Sequence, residues 1–163
     1  MTPTARVTRE LGPCPWDIEE YQSQGGYEAW KACATRRTRE EVIAEIKQAG
    51  LRGRGGAGFP TGVKWEKVLH HRVAERYFVC NAGEHEPGTF KDRHLLKTNP
   101  HQVLEGALIA AHTVKAKAAF IYVNHEYQEE LANLRKAAEQ ARAYELMGPN
   151  VLGTGIDLSL IHI

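Results

Sequence analysis

The N-terminal half of the chain carries apolar residues at helical spacing. Between residues 18 and 34 this pattern is interrupted by Gly25 and Gly26, which predicts two short helices. Thr38 and Glu41 have the spacing of a capping box, and the apolar residues after them fall on one helical face. We therefore predict a further helix that starts after Thr38.

In the second half of the chain, short apolar runs alternate with helical patterns. Residues 77–80 and 118–123 predict strands, the first of them buried. Residues 100–114 and 126–147 predict helices. The order strand, helix, strand, helix predicts an α/β fold, a Rossmann-like parallel sheet with flanking helices.

We expect one packed domain, over residues 16–163, after an irregular leader. Residues 1–15 contain several proline and glycine residues and show little periodicity. At the other end, residues 151–163 end in a strand-like apolar pattern that stops without a terminating signal. The domain is therefore expected to be incomplete, truncated at its C-terminal end.

Charge and hydropathy exclude several classes of function. Lys and Arg total 21 against 20 for Asp and Glu, so the chain lacks the basic excess of a nucleic-acid surface. Its apolar runs are far shorter than the roughly 20 residues that span a bilayer. Its first residues also lack the apolar core of a secretory signal. We expect a cytoplasmic protein with no direct membrane insertion.

A metal site is not predicted. Cys14, Cys33 and Cys80 stand at wide spacings without a C-x-x-C pair, and the eight His residues form no recognised ligand cluster. Reduced cysteines packed as small apolar side chains are the expected state.

A glycine loop, residues 53–60, lies between Gly50, the expected stop of the preceding helix, and Thr61, the expected cap of the next one. Gly53, Gly55 and Gly58 satisfy the pattern G-x-G-x-x-G, in which backbone N–H groups come close to a phosphate. An ordinary dinucleotide-binding loop follows a strand, whereas this loop follows a helix. The usual Rossmann interpretation therefore fails.

Side chains around the glycine loop favour a phosphate site. Arg52, Arg54 and Lys64 bring cationic donors, and the N-terminus of the following helix adds partial positive charge. Phe59 offers a flat apolar face on which an aromatic ring can stack. The alternative is a flexible surface loop with solvated charges.

A second polar segment, residues 81–93, follows the first predicted strand, where open α/β sheets bind ligands. Asn81 can donate and accept hydrogen bonds, and Glu84 and Glu86 can accept them from sugar hydroxyls or an amide. Two alternatives stay open. The carboxylates could be the general acid and base of a hydrolase, without the usual nucleophile or metal, or turn residues before Pro87-Gly88.

The glycine loop and the second segment, which ends Phe90-Lys91-Asp92-Arg93, together resemble one family. It is the NADH-binding, FMN-carrying subunit of respiratory complex I (NADH-quinone oxidoreductase), with its diaphorase relatives in NAD-linked formate dehydrogenases and hydrogenases. The resemblance runs over residues 16–157. It implies hydride transfer from NADH to flavin mononucleotide (FMN), and then release of single electrons to iron–sulfur clusters. It also implies a thioredoxin-like iron–sulfur subunit as partner within a larger redox complex, peripheral to the cytoplasmic membrane.

The resemblance implies which residues bind the nucleotides, and it assigns none as directly catalytic. Phe59 would stack on NADH, and Glu86 would hydrogen-bond to it. The residues expected at the FMN are Gly53, Arg54, Gly56, Lys64, Asn81 and Glu84, with Gly55 and Gly83 as further cofactor-binding positions.

Three positions depart from the family pattern. The family usually has Asp where this chain has Gly83, so one polar contact on the flavin side is missing. His85 stands where a small residue is usual, and Lys67 stands where a relative presents an aromatic ring to the adenine. These differences indicate a divergent member.

The family continues beyond the matched region with a further flavin loop, a ubiquitin-like domain and a helical domain. That helical domain ligates a four-iron, four-sulfur cluster, so the cluster is expected only in a C-terminal part that this chain does not include. A second hypothesis is a nucleotide-binding module that keeps the fold but has lost electron transfer.

Overall fold

The structure, a computed structural model, describes residues 17–154, 156–158 and 160–162. The predicted leader at residues 1–15 lies outside the described residues. The helices are α1 (Ile18–Ser23), α2 (Glu28–Thr35), α3 (Arg39–Gln48), α4 (Thr61–His70), α5 (Lys91–Thr98), α6 (Pro100–Thr113) and α7 (Gln128–Ala143). The strands are β1 (Tyr77–Ala82), β2 (Ala118–Val123), β3 (Gly148–Val151), β4 (Ile156–Leu158) and β5 (Leu160–His162).

The predicted parallel sheet is confirmed. β1 pairs with β2 and β2 pairs with β5, all in parallel, while β3 and β4 form a separate antiparallel pair. α5 and α6 connect β1 to β2, and α7 follows β2. Because the strands are parallel, their carboxyl ends share one edge of the sheet, and the 81–86 segment leaves β1 at that edge.

The two predicted helix caps have different outcomes. The capping box is confirmed, because the Thr38 hydroxyl accepts the Glu41 N–H and the Glu41 carboxylate accepts the Thr38 N–H. The prediction that Thr61 caps α4 was wrong. Pro60 is the N-cap residue, Thr61 is already helical, and its N–H donates to the Leu51 carbonyl at 2.9 Å. That bond closes the base of the glycine loop instead.

Some predicted bounds were also wrong. β1 continues for two residues past 80, and α7 spans a shorter range than residues 126–147. α7 ends at Ala143, and two residues later Glu145 adopts a left-handed φ of 56° before β3 begins. α5 was not predicted, because its apolar residues Leu95 and Leu96 are too few to set a helical period.

β1 is not the fully buried strand that its composition predicted. Tyr77 is 54% exposed and Val79 is 60% exposed, whereas Ala82 is buried and Phe78 and Cys80 pack against the core. This alternation means that the described residues cover only one face of β1.

The core forms where α6 packs on that covered face of the sheet and on α2 and α7. Trp30, Leu104, Leu108 and Met147 are buried in it. Within the described part of the chain, no helix is long and apolar enough to cross a membrane.

A buried carboxylate of α6 fixes α2 to this core. Glu105 accepts hydrogen bonds from the Tyr21 hydroxyl at 2.5 Å, from the Tyr27 N–H at 3.0 Å and from the Trp30 N–H at 3.2 Å. Burial, and then the Glu105 charge, raise the pKa of Tyr27, so its hydroxyl stays protonated beside the ring of His101. The N-terminal helices are therefore tied to α6 by polar contacts as well as by packing.

Candidate functional site

The glycine loop is closed at its base and open at its tip. Arg52 and Pro60 form an antiparallel bridge, and the Gly53 N–H donates to the Phe59 carbonyl at 3.0 Å. The Arg52 guanidinium donates to the Gly58 carbonyl at 2.9 Å. Arg52 therefore stabilises the loop through its bond to Gly58. Arg54, at the tip, is exposed.

Glycine is required at the tip of this loop. Gly56 has a φ of 110° and Gly58 a φ of 61°, both in the left-handed region. A Cβ at Gly55 or Gly56 would meet no heavy atom within 4 Å, so the backbone there faces open space. The tip is thus a surface on which a ligand can approach the main chain closely.

The 81–86 segment begins at the carboxyl end of β1. The Asn81 side-chain oxygen accepts the Gly83 N–H at 3.0 Å, which folds the chain sharply after the strand. Gly83 is partly buried, whereas His85 and Glu86 are exposed. The turn therefore presents the side chains of His85 and Glu86 to solvent.

Glu84 is oriented differently from its neighbours. Its side chain is 2% exposed, and its carboxylate accepts the Asp92 N–H at 3.2 Å and the Arg93 N–H at 3.5 Å. These are free N–H groups in the first turn of α5, where a carboxylate also meets the positive end of the helix dipole. Glu84 thus caps α5 from a distance of eight residues along the chain.

Lys91 adds a cation next to this cap. Its Nζ lies 2.7 Å from Asp92 Oδ1 and 3.5 Å from Glu84 Oε1. Burial alone would lower the pKa of Lys91, but the hydrogen bonds and charges of Asp92 and Glu84 outweigh it and raise the pKa. Lys91 therefore stays protonated at neutral pH.

One cavity of about 670 Å³ lies between the glycine loop and the 81–86 segment. Its size is that of pockets that hold nucleotide-sized ligands. The structure therefore brings together the two segments that the sequence singled out. The predicted residues that line the cavity are Arg54, Gly55, Gly56, Asn81, Gly83, Glu84 and Glu86, and His85 lines it as well.

Three predicted residues do not line this cavity, namely Gly53, Phe59 and Lys64. Phe59 projects from the loop with 48% of its surface exposed, and the Lys67 ammonium lies 5.9 Å from its ring centroid. Lys64 is exposed on the first turn of α4. Phe59 and Lys67 thus form a second exposed surface next to the loop.

Four residues that line the cavity were given no cofactor role from the sequence, namely His85, Thr89, Lys91 and Asp92. They belong to the polar segment at residues 81–93, in which Lys91 and Asp92 were named only as part of a family motif. The Phe90-Lys91-Asp92-Arg93 run could have predicted the start of α5, because an acidic residue in the first turn favours a helix start.

Within the described residues, no group of His, Cys, Asp and Glu is arranged to hold a metal ion.

We expect Gly83→Ala to displace the ring of Tyr122. A Cβ at position 83 would lie 2.2 Å from Tyr122 Cε1, which is far inside van der Waals contact. Tyr122 is 42% exposed, so its ring can swing outward, and the expected loss of unfolding free energy is about 1 kcal/mol. Urea denaturation should show this loss.

The control for that substitution is a second change. In a Tyr122→Ala background the Cβ at position 83 has no ring to meet, so Gly83→Ala should cost distinctly less there. An equal cost in both backgrounds would show that the ring of Tyr122 does not lie over Gly83.

Comparisons with known proteins identify the family of this chain. The Nuo51 FMN-binding domain matches residues 46–161, which contain both loops. An NADH-quinone oxidoreductase subunit of Escherichia coli strain K12 is 44% identical over 94% of this chain and 37% of its own length. The NADP-reducing hydrogenase subunit HndC of Solidesulfovibrio fructosivorans is 40% identical over 90% of this chain and 29% of its own length.

A solved structure has the same fold. The crystal structure of an NAD+-reducing [NiFe]-hydrogenase in the H2-reduced state matches 97% of this chain and 29% of its own chain, with a TM-score of 0.72 and 31% identity. This chain spans about 37% of the length of the E. coli relative. With the family match over residues 46–161, the chain belongs to the family of the Nuo51 FMN-binding domain, with an NADH-quinone oxidoreductase subunit among its relatives.

Proposed function

We propose that this chain forms part of the FMN and NADH site of an NADH-oxidising subunit in a multisubunit oxidoreductase. The observation that carries the proposal is the cavity of about 670 Å³ that the glycine loop and the 81–86 segment line together. The match to the Nuo51 FMN-binding domain over both loops supports FMN as the ligand.

The residues around the cavity fit FMN chemically. FMN carries a phosphate, a chain of hydroxyls and an aromatic ring system. The open backbone at Gly55 and Gly56 suits a phosphate, and the cations Arg54 and Lys91 offset its charge. The Asn81 side chain can serve ribityl hydroxyls as acceptor or donor. The cavity lining therefore offers partners for the phosphate and for the ribityl hydroxyls of the cofactor.

We assign the predicted residues as follows. The tip of the glycine loop holds the phosphate of FMN, Asn81 serves its ribityl hydroxyls, and Gly83 and Glu84 form the wall against its ring side. Gly53 and Lys64 do not line the cavity, so their contact with FMN is proposed from the sequence resemblance alone. Glu84 acts through its place in the backbone, because its carboxylate is turned to α5. Phe59 and Glu86, both exposed, are free to contact NADH. When bound, FMN would accept the hydride, and the protein supplies binding, orientation and electrostatics.

The electron acceptors are also part of the proposal. We propose that electrons pass to iron–sulfur clusters of the larger assembly, among them a four-iron, four-sulfur cluster. We also propose that a thioredoxin-like iron–sulfur subunit is a partner in that assembly. The similarity to NADH-quinone oxidoreductase and hydrogenase proteins supports a parent complex of one of these kinds. Formate dehydrogenase is a third candidate complex, from the sequence resemblance.

Flavin spectroscopy on the full-length gene product that contains this chain tests the proposal. We expect a bound flavin with the visible absorbance band of oxidised flavin cofactors, and bleaching of that band on addition of NADH. A gene product that binds FMN but is not bleached by NADH would be a nucleotide-binding module without electron transfer. A product that binds no FMN would overturn the proposal.

A further inference from the structure

Tyr127 connects the 81–86 segment to α7. Its hydroxyl donates to the Glu84 carbonyl at 2.6 Å, across 43 residues of sequence. Tyr127 is the N-cap residue of α7 and is partly buried. The peptide that follows Glu84 is therefore tied to the start of a core helix.

Tyr127 is itself held in place by α5. The Arg93 guanidinium lies 4.6 Å from the centroid of the Tyr127 ring, and Arg93 Nε lies 3.5 Å from Glu130 Oε1. Glu130 is 5% exposed and belongs to the first turn of α7. The buried Glu130 carboxylate fixes the Arg93 guanidinium, which stacks on the Tyr127 ring. The fixed guanidinium therefore restricts the motion of that ring.

Glu84 is consequently held at two points. Its carboxylate accepts N–H groups of Asp92 and Arg93 at the start of α5, and its carbonyl accepts the Tyr127 hydroxyl. The residues on either side of it, Gly83 and His85, line the cavity. The backbone of the cavity wall is thus fixed from behind by Tyr127, which does not line the cavity.

We propose that Tyr127, restrained by Arg93 and Glu130, is a positioning residue for the flavin site. It fixes the Glu84 peptide before the ligand arrives, so that binding does not have to order the 81–86 segment. This inference rests on the proposed function, since FMN is the ligand whose affinity it sets. The Arg93 guanidinium and the Glu130 carboxylate reach the Glu84 carbonyl only through Tyr127, and this gives the proposal a distinctive test.

The test is a double-mutant cycle on FMN affinity. The flavin-free form of the full-length gene product is titrated with FMN, and quenching of the flavin fluorescence measures the binding. Tyr127→Phe removes one hydrogen bond and should weaken FMN binding about tenfold. Glu130→Gln frees Arg93 and should weaken it about threefold. Because Glu130 acts through Tyr127, the double variant should bind FMN no more weakly than Tyr127→Phe alone.

A matched control is Tyr144→Phe. The Tyr144 hydroxyl donates to Glu19 at 3.0 Å on the surface, so this variant loses a comparable bond away from the cavity. Its FMN affinity should stay within about twofold of the wild type. The inference would be overturned if Tyr127→Phe bound FMN within that same twofold range. It would also be overturned if the losses of affinity in Tyr127→Phe and Glu130→Gln were additive in the double variant. A wild-type protein that binds no FMN would instead overturn the proposed function.

Discussion

Glu105→Ala is expected to lower the free energy of unfolding by about 3 kcal/mol, because it removes a buried acceptor that several donors share. α2 has no cap of its own: its N-cap residue is Tyr27, with a φ of 62° and no side-chain cap bond. The Glu105 carboxylate of α6 takes that role by accepting the N–H groups of Tyr27 and Trp30. A negative charge at this end of α2 also suits the helix dipole.

Equilibrium urea denaturation should measure this loss, with two further variants as references. Glu105→Gln keeps one carbonyl oxygen as an acceptor, but its amide N–H₂ faces a hydrogen-bond donor. Its loss of unfolding free energy should therefore be smaller than that of Glu105→Ala, about 1–2 kcal/mol. Glu139→Ala changes an exposed carboxylate of α7 and should cost less than about 0.5 kcal/mol. If Glu105→Ala unfolds at the same urea concentration as Glu139→Ala, the carboxylate does not cap α2.

Local patterns predicted those parts of the fold that depend on neighbours in sequence. The capping box joins Thr38 and Glu41, which are three positions apart, and the strand at residues 118–123 is a continuous apolar run, so both were found with the right bounds. The glycine loop was found from its residue types alone. In each case the stabilising interaction lies within the segment that carries the signal.

Contacts between distant segments were not predictable in this way. The cap that Glu105 provides joins residues 78 positions apart, and the Tyr127 bond to Glu84 joins residues 43 positions apart. The exposed face of β1 was missed for a similar reason, since an apolar run does not reveal which of its faces will be covered. Glu84 was singled out as a polar residue, but nothing in its local sequence indicates that its carboxylate turns to α5.

Gly56→Val is expected to weaken FMN binding by at least about 100-fold, because a β-branched residue cannot keep the backbone that the glycine loop requires. Gly56 has a φ of 110°, and it lies at the exposed tip that lines the cavity. A valine there must change φ, which moves the N–H groups of the loop away from the phosphate position. Its side chain would also occupy the open space through which a ligand approaches the backbone.

The same argument predicts little change in stability, which separates a binding defect from misfolding. The tip is exposed, and the base of the loop is held by the Gly53 bond to Phe59 and by the bridge at Arg52, neither of which involves Gly56.

Gly106→Ala is the matched control. Gly106 lies in α6, and a Cβ there would meet nothing within 4 Å. That variant should bind FMN like the wild type and gain up to about 1 kcal/mol in unfolding free energy, because alanine favours a helix. Fluorescence titration with FMN and urea denaturation of both variants measure these effects, and tight FMN binding by Gly56→Val would show that the glycine loop does not hold the phosphate.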